Sequence, residues 1–300
     1  MKRIAVILLL LLGGSSLAQA CSQCMCGSPL PAAYLWGPEP DHFRFGVEER
    51  YLSKENALDE EPGMEQEREH RVSAYGLWRP VEPLLLLGRL PYSFREQIQR
   101  PLDGTEATAR HNGLADAELT GVYRAWQPWL GEGRRATVSL IGGVIMPTGS
   151  NTARDDEGVR LDEHLQTGAG AWRGSLGGIA VAPVGVGTFE IDAQERWNGT
   201  NDFDYHYGNT FLANAGYTSR VYGSFQLLGF VNARSALRDE DGAAFAPNTG
   251  GTMIYAAPAL RYWGKGGWIA DLAVQVPVVS NLYGIQDEHT TARLGISFAP

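Results

Sequence analysis

The chain has 300 residues and a formal net charge of −9, with 44% hydrophobic residues, 37 Gly, 8 Trp and 12 Tyr. The acidic balance disfavours a nucleic-acid-binding protein, which normally presents a basic face. Glycine and aromatic residues at this frequency, spread over short segments, favour an all-β chain.

The N-terminus has the features of an export signal. Lys2 and Arg3 precede an apolar run, and Ala18 and Ala20 form a small-x-small cleavage site, so residues 1–20 are predicted to be a signal peptide. Beyond residue 20, no apolar run approaches the roughly 18 to 20 residues that a membrane-spanning helix needs. The sequence therefore predicts an exported protein without transmembrane helices.

Residues 21–41 are predicted to form a Cys-rich periplasmic segment. Cys21, Cys24 and Cys26 make a C-x-x-C-x-C cluster, and such soft sulfur ligands suit Cu(I) or Zn(II). The C-x-x-C spacing also suits thiol and disulfide exchange. Three alternatives remain open: a local disulfide with a spare cysteine, pairing with a periplasmic partner, and acylation of Cys21, although the residues before it fit a lipobox poorly.

Residues 42–300 divide into segments of about ten residues with apolar side chains at every second position, the period of a strand with two different faces. In one of them Leu294, Ile296 and Phe298 oppose Arg293 and Ser297. Twelve strands are predicted near residues 43–52, 70–79, 84–95, 114–126, 135–146, 169–182, 186–197, 207–218, 222–234, 251–263, 267–279 and 289–298.

The predicted connections alternate strictly between short and long, as do the tight periplasmic turns and longer external loops of outer-membrane barrels. The long connections hold runs of Asp and Glu, interpreted as solvated loop surface, with recruitment of cations as the alternative. Aromatic residues collect near the segment ends, as in membrane-interface girdles: Trp78, Trp126, Trp129, Trp172, Trp197, Tyr217, Tyr222, Tyr262, Trp263, Trp268 and Phe298.

These signals predict an all-β fold, a single 12-stranded antiparallel transmembrane β-barrel of the bacterial outer membrane. An even strand number places both chain termini in the periplasm. A soluble β-sandwich also shows alternating strands, but it requires neither the regular alternation of connection lengths nor the aromatic girdles. The barrel is therefore the preferred architecture.

If the apolar faces meet lipid, the charged residues on the opposite faces point into the barrel. The predicted pore-lining residues are Arg71, Arg89, Glu118, Arg124, Arg173, Glu190, Asp192, Arg196, Asp271 and Arg293. Both signs of charge occur among them, and a 12-stranded barrel is narrower than the 16 to 18-stranded porins with open channels. Two interpretations remain open, a structural salt-bridge core and a selective path lined by the same groups.

Two short motifs carry a family resemblance. Gly142–Ser150 (GGVIMPTGS) ends a strand in a Pro-Thr-Gly turn, and Leu165–Trp172 (LQTGAGAW) leads into the next strand after an acidic loop. The later segment Ala256–Tyr262 (AAPALRY) fits the same pattern. On these segments the chain resembles the phenol-degradation-pathway (MetA-pathway) outer-membrane transporters. The resemblance implies a small barrel that admits hydrophobic or aromatic compounds, and it brings no set of functional residues.

The predicted function is that of an outer-membrane channel or transporter for small molecules, with membrane lipid and a small-molecule solute as its partners. An alternative is a barrel-anchored metal-binding or thiol-redox partner protein that uses the cysteine segment. Twelve strands also suit an outer-membrane phospholipase, but none of the six histidines begins its His-x-Ser-Asn signature. The chain is therefore predicted not to be an enzyme, and no catalytic residue or certain cofactor is assigned.

Overall fold

The computed structural model describes residues 43–58, 62–131 and 133–300, which form an all-β structure. Within these ranges no helix is long and apolar enough to cross a membrane. The strands are β1 (Phe43–Ala57), β2 (Gly63–Val81), β3 (Leu84–Pro101), β4 (Ala107–Leu114), β5 (Ala117–Trp126), β6 (Trp129–Gly131), β7 (Arg134–Arg135), β8 (Thr137–Met146), β9 (Arg173–Val184), β10 (Gly187–Asn198), β11 (Tyr205–His206), β12 (Thr210–Tyr222), β13 (Phe225–Ala236), β14 (Glu240–Asp241), β15 (Ala244–Phe245), β16 (Gly251–Trp263), β17 (Trp268–Leu282), β18 (Gln286–Glu288) and β19 (Thr291–Phe298).

The main sheet closes on itself. Each barrel strand pairs antiparallel with the next, and β1 pairs with β2 on one side and with β19 on the other, where Phe45 lies opposite Phe298. The described residues supply twelve strand positions, with β4 and β5 sharing one and β18 and β19 sharing another. Closure joins the two ends of the main sheet, the condition for a sheet inside lipid. Among the described strands β4, at the loop end, pairs with β3 on one side only. The predicted 12-stranded barrel is confirmed.

The two faces of the barrel wall differ as the period-two pattern predicts. In β19, Arg293 and Ser297 are buried, whereas Leu294 and Ile296 are about half exposed. The same alternation runs through the other barrel strands, so the outward face is apolar and the buried polar groups point inward. Aromatic side chains near the strand ends also face outward, including Trp78, Trp126, Trp172, Trp197, Tyr222 and Trp268.

The barrel has two unlike ends. The turn end carries the short connections, the β6–β7 hairpin, the first residue of β1 (Phe43) and the last residue of β19 (Phe298). The loop end carries the longer connections at 147–172, 199–209 and 237–250. The predicted signal peptide and cysteine segment fall outside the described residues, as does residue 42, where the barrel domain was predicted to begin.

The predicted strict alternation of connection lengths is wrong at the first two loop-end connections and at the last, where residues 280–288 were predicted as a long loop but only 283–285 connect β17 to β18. Residues 52–69 and 96–113 were predicted as long loops, but most of both ranges is strand, and the connections shrink to 58–62 and 102–106. Cross-strand partners such as Lys54 and Glu67 continue the ladder there. Polar residues occupy much of both faces in these stretches, so the strand continues while the apolar alternation fades.

One acidic run is not solvated loop surface. Asp239, predicted to lie in solvent, is buried and accepts hydrogen bonds from the Gly208 backbone N–H (2.8 Å) and the Tyr205 hydroxyl (2.9 Å). Tyr205 and Tyr207 pack against Ala169 from the 147–172 connection. The loop-end connections therefore form a packed layer with a core of its own.

Candidate functional site in the barrel interior

The ten predicted pore-lining side chains are all buried or half-buried and lie on inward positions of the barrel strands. Most have an oppositely charged neighbour. The ion pairs, each with its N–O distance, are Arg71–Glu69 (2.6 Å), Arg89–Glu118 (3.5 Å), Arg173–Asp116 (2.7 Å), Arg196–Glu118 (3.9 Å), Asp271–Arg261 (2.6 Å) and Arg293–Glu48 (3.6 Å). Whether these groups line a solute path stays a prediction.

The remaining three predicted residues are placed differently. Arg124 lies at the turn end, where its guanidinium donates to the Glu82 backbone carbonyl (2.6 Å) and lies 3.5 Å from the exposed Glu82 carboxylate. Asp192 accepts a hydrogen bond from Asn214 (2.7 Å), and Glu190 is buried two residues away on β10. The structure therefore divides the predicted set into several groups along the wall.

The densest charged group surrounds a residue that the sequence analysis missed. Glu69 on β2 contacts Arg71 (2.6 Å), Arg50 on β1 (3.4 Å) and Arg95 on β3 (3.4 Å), and all four side chains are about nine-tenths buried. One carboxylate thus faces three guanidinium groups, which leaves a net positive centre in the wall. Glu69 lies just before the predicted strand at 70–79, so the strand pattern did not predict it to face inward. Arg95 lies an even number of residues after Arg89 on β3, so both side chains face the same side, and this spacing predicts that Arg95 also points inward.

A second missed residue, Asp116, anchors the long 147–172 connection inside the barrel. It lies between β4 and β5, fully buried, and accepts hydrogen bonds from the backbone N–H groups of Gly149 (2.9 Å) and Ala169 (2.9 Å) as well as from Arg173 (2.7 Å). Ionised acceptors with several donors make the stronger class of hydrogen bond. Both ends of the connection are therefore fixed by one carboxylate.

Arg95 holds the middle of the same connection. Its guanidinium donates to the backbone carbonyls of His164 (2.8 Å) and Gln166 (2.6 Å), and Leu165 and Thr167 beside them are almost fully buried. The 147–172 connection is thus an inward-folded strap, packed between the wall and the other loop-end connections. Burial and the nearby Lys54 ammonium lower the pKa of His164 to about 4, which keeps this imidazole neutral at neutral pH.

The two motifs that carry the family resemblance meet each other in this strap. A Cβ atom at Gly168 would lie 2.4 Å from the carbonyl group of Gly149, so neither position has room for a side chain without displacement of backbone. Thr148 accepts from the Ala117 N–H (2.8 Å) and donates to the Ala115 carbonyl (3.1 Å). The motif thus docks the strap onto the wall as well as forming a turn.

A cavity of about 250 Å³ lies between the strap and the wall at the loop end. Its polar lining comes from β1 (Asn56), β2 (Glu65, Glu67), β3 (Gln99) and the strap (Asp162, His164). Lys54 pairs with Glu67 at 2.8 Å, but carboxylates predominate, so the cavity has an acidic character. The loop-end interior is therefore polar and charged around this cavity.

The turn-end interior differs from the polar lumen that the sequence predicted. One apolar cluster faces inward there from strands β2, β3, β5, β8 and β9, with the members Leu77, Leu85, Leu87, Val122, Ile141 and Ile179. A second cluster faces inward from β13, β16 and β17, with the members Leu228, Phe230, Ala257, Ala259 and Ala273. These clusters share the turn end with the buried Arg261–Asp271 pair and with Arg44, so the turn-end interior holds both apolar packing and charge.

No metal centre emerges from the described ranges. No group of three or more His, Cys, Asp or Glu side chains there is arranged to hold a metal ion. Cys21, Cys24 and Cys26 lie outside those ranges, so the Cu(I) or Zn(II) site and the redox role stay predictions.

A closed antiparallel barrel, apolar outside and lined by ion pairs inside, defines an outer-membrane β-barrel protein. The family described as "Putative MetA-pathway of phenol degradation" matches residues 86–281, more than half of the chain, and the chain belongs to this family. The resemblance inferred from the two motifs is confirmed. No curated protein sequence matches the chain significantly.

Solved structures support the fold. An outer membrane channel from Pseudomonas putida F1 superposes with a TM-score of 0.62 at 12% identity, over 86% of this chain and 95% of that chain. The translocator domain of the autotransporter NalP from Neisseria meningitidis gives 0.50 at 10% identity, over 89% and 91%. The transport unit of the autotransporter AIDA-I from Escherichia coli gives 0.50 at 10% identity, over 88% and 92%.

Proposed function

We propose that this chain is an outer-membrane channel that admits small molecules, with apolar or aromatic compounds as its substrate class. The family description refers to phenol degradation, and the P. putida structure is named as an outer membrane channel. The channel name supports passage and the family description supports aromatic compounds as the substrate class, and no residue is proposed to be catalytic. The ten inward charges of the sequence analysis are the proposed lining of the path.

The observation that carries this proposal is the amphipathic interior. Solutes with an apolar body and a polar group find complementary surfaces in the barrel, since inward apolar clusters adjoin charged groups both at the turn end and towards the loop end. A binding site for such compounds is typically apolar with a few placed polar groups.

The proposed orientation puts the turn end in the periplasm and the strap at the cell surface. Tight turns face the periplasm and long connections the exterior in barrels of this type. Both ends of the barrel segment, Phe43 and Phe298, lie at the turn end, which agrees with periplasmic termini. Protease added outside intact cells is expected to cleave within the loop end only, and cleavage at the β6–β7 hairpin would contradict this orientation.

The test of passage is solute flux into liposomes that contain the purified full chain. The panel comprises sugars, aromatic acids and metal ions, with empty liposomes and liposomes holding heat-unfolded protein as controls. We expect aromatic acids, which are charged and cross lipid slowly, to enter faster than sugars of similar size. Flux equal to that of the controls for every solute would overturn the proposed function.

A further inference from the structure

A row of three polar residues crosses the inner wall on neighbouring strands. Asp192 on β10 lies opposite Asn214 on β12, and Asn214 lies opposite Asn232 on β13. Their exposed fractions are 7%, 3% and 0%. Their neighbours along each strand face lipid, so the three side chains point into the barrel at one level.

Most polar atoms of this row lack a protein partner. The Asn214 side-chain amide donates to Asp192 Oδ1 at 2.7 Å, but Asp192 Oδ2, Asn214 Oδ1 and both amide atoms of Asn232 have no hydrogen-bond partner. Asp192 also has no basic side chain within ion-pair distance among the described residues, unlike Glu69, Asp116 and Glu118. The row therefore contains a buried carboxylate without a counter-charge.

Both apolar and charged side chains lie next to the row. Glu190, two residues from Asp192, and Arg234, two residues from Asn232, are buried charged neighbours. Ile179 lies opposite Asp192 on β9, and Leu212 lies two residues from Asn214 on the same face. On the turn-end side Phe230 covers Gly216, where an added Cβ would lie 2.0 Å from the ring. Burying polar groups without partners costs free energy. A wall optimised for packing would carry apolar residues here, so these three residues require another explanation.

We propose that Asp192, Asn214 and Asn232 form a solute-binding rung for small molecules that join an apolar body to a hydrogen-bond donor, either a hydroxyl or an ammonium group. This inference rests on the proposed channel function and specifies its substrate class. Three unpartnered oxygens accept hydrogen bonds, and the Asn232 amide N–H groups add donors. Ile179, Leu212 and Phe230 contact the apolar body.

The experiment measures binding of four matched fluorinated probes to the detergent-solubilised full chain by 19F NMR. 4-Fluorobenzyl alcohol and 4-fluorobenzylamine carry the two donor types, whereas 4-fluorotoluene lacks a donor and 4-fluorobenzoate is an anion. We expect both donor probes, or one of them, to bind at least tenfold more tightly than the toluene. The probe that binds more tightly then shows whether a hydroxyl or an ammonium group is the preferred hydrogen-bond donor. Equal binding of 4-fluorotoluene would overturn the proposal.

Two variants separate a binding role from a structural one. Asn232→Leu and Asp192→Leu are expected to lose the preference for donor probes, about tenfold in affinity. Thr210→Val, an isosteric change on β12 outside the row, is the control and should keep it. Under the proposal Asn232→Leu unfolds at the same or a higher urea concentration than wild type, because unpartnered atoms are removed. A lower midpoint with unchanged probe preference would show a structural role instead.

Flux of aromatic acids through the wild-type chain is measured in parallel. Normal flux combined with equal binding of all probes would contradict the proposed solute-binding rung but not the channel function. Absence of flux for every solute would contradict the channel function, whatever the probes show.

Discussion

The loop-end and turn-end halves of the barrel interior are filled by different kinds of side-chain interaction. At the loop end, Glu69 and Asp116 gather arginines and backbone N–H groups and hold the strap against the wall. At the turn end, Leu85, Leu87 and Ile141 pack against one another, and the Arg261–Asp271 pair lies on another part of the wall. Ion pairs have directional geometry and fix one position of the strap, whereas apolar packing fills volume without selecting charge.

The largest effect is expected from Asp116→Ala, which removes the acceptor shared by Gly149, Ala169 and Arg173. Leaving a buried guanidinium without its partner costs ~3–5 kcal/mol. We expect the strap to detach, with faster solute flux and rapid proteolysis within residues 153–160. Asp156→Ala, an exposed change on the same strap, is the matched control. Undiminished protease resistance in Asp116→Ala would show that the strap is held elsewhere.

Glu69→Gln tests the charged wall itself. The amide keeps the shape of the side chain but leaves Arg50, Arg71 and Arg95 without a counter-charge, at a cost of ~2–3 kcal/mol in unfolding free energy. The extra positive charge should shift the reversal potential in a salt gradient towards anion selectivity. Glu49→Gln, on the exposed face of β1, should leave the potential unchanged. An unaltered potential in Glu69→Gln would place this cluster off the ion path.

Leu85→Ala probes the turn-end half and should separate packing from selectivity. Removing a buried leucine side chain is expected to lower the unfolding free energy by about 2 kcal/mol, the low end for such changes. Ion selectivity should stay at the wild-type value because no charge changes. Leu90→Ala, on the lipid-facing side of the same strand, is the control for hydrophobic loss alone. A selectivity change in Leu85→Ala would contradict the division between the two halves.

The smallest effect concerns pH at the strap. The pKa of His164 is lowered to about 4 in the folded state from an ordinary 6.5, so the unfolded strap binds the proton more readily. The stability that the neutral imidazole contributes is complete above pH 6.5 and declines as pH falls from there towards 4. Protease sensitivity of the strap should therefore rise over this window in wild type and less in His164→Gln. Parallel pH profiles for the two proteins would exclude His164 as the cause.

The barrel was predictable because its determinants are local. Period-two alternation within each strand, as in Leu294 and Ile296 against Arg293 and Ser297, reports the two faces without knowledge of the partner strand. The Pro147–Gly149 turn also marks a strand end by its own chemistry. Strand ends beyond the apolar band were missed because polar residues on both faces, as around Glu67, look the same in a loop and in a ladder.

The interior was only partly predictable because it depends on distant pairs. Arg95 meets His164, and Asp116 meets Ala169, across sequence separations that no periodicity encodes. The inward leucines escaped notice for a different reason. Leu84–Leu87 is apolar on both faces, so alternation could not show that Leu85 and Leu87 face away from lipid.

The seam between β1 and β19 ties nearly the first described residue to the last, with Phe45 paired to Phe298. The other strand pairs of the barrel join segments closer in sequence, except β1 with β18 beside the same seam, so the seam forms only after β19 has been synthesised. Until then β1 presents an open edge, which lipid cannot satisfy. Barrel closure in the membrane therefore requires β19. A chain that stops before β19 cannot close a smaller barrel with the same strand register.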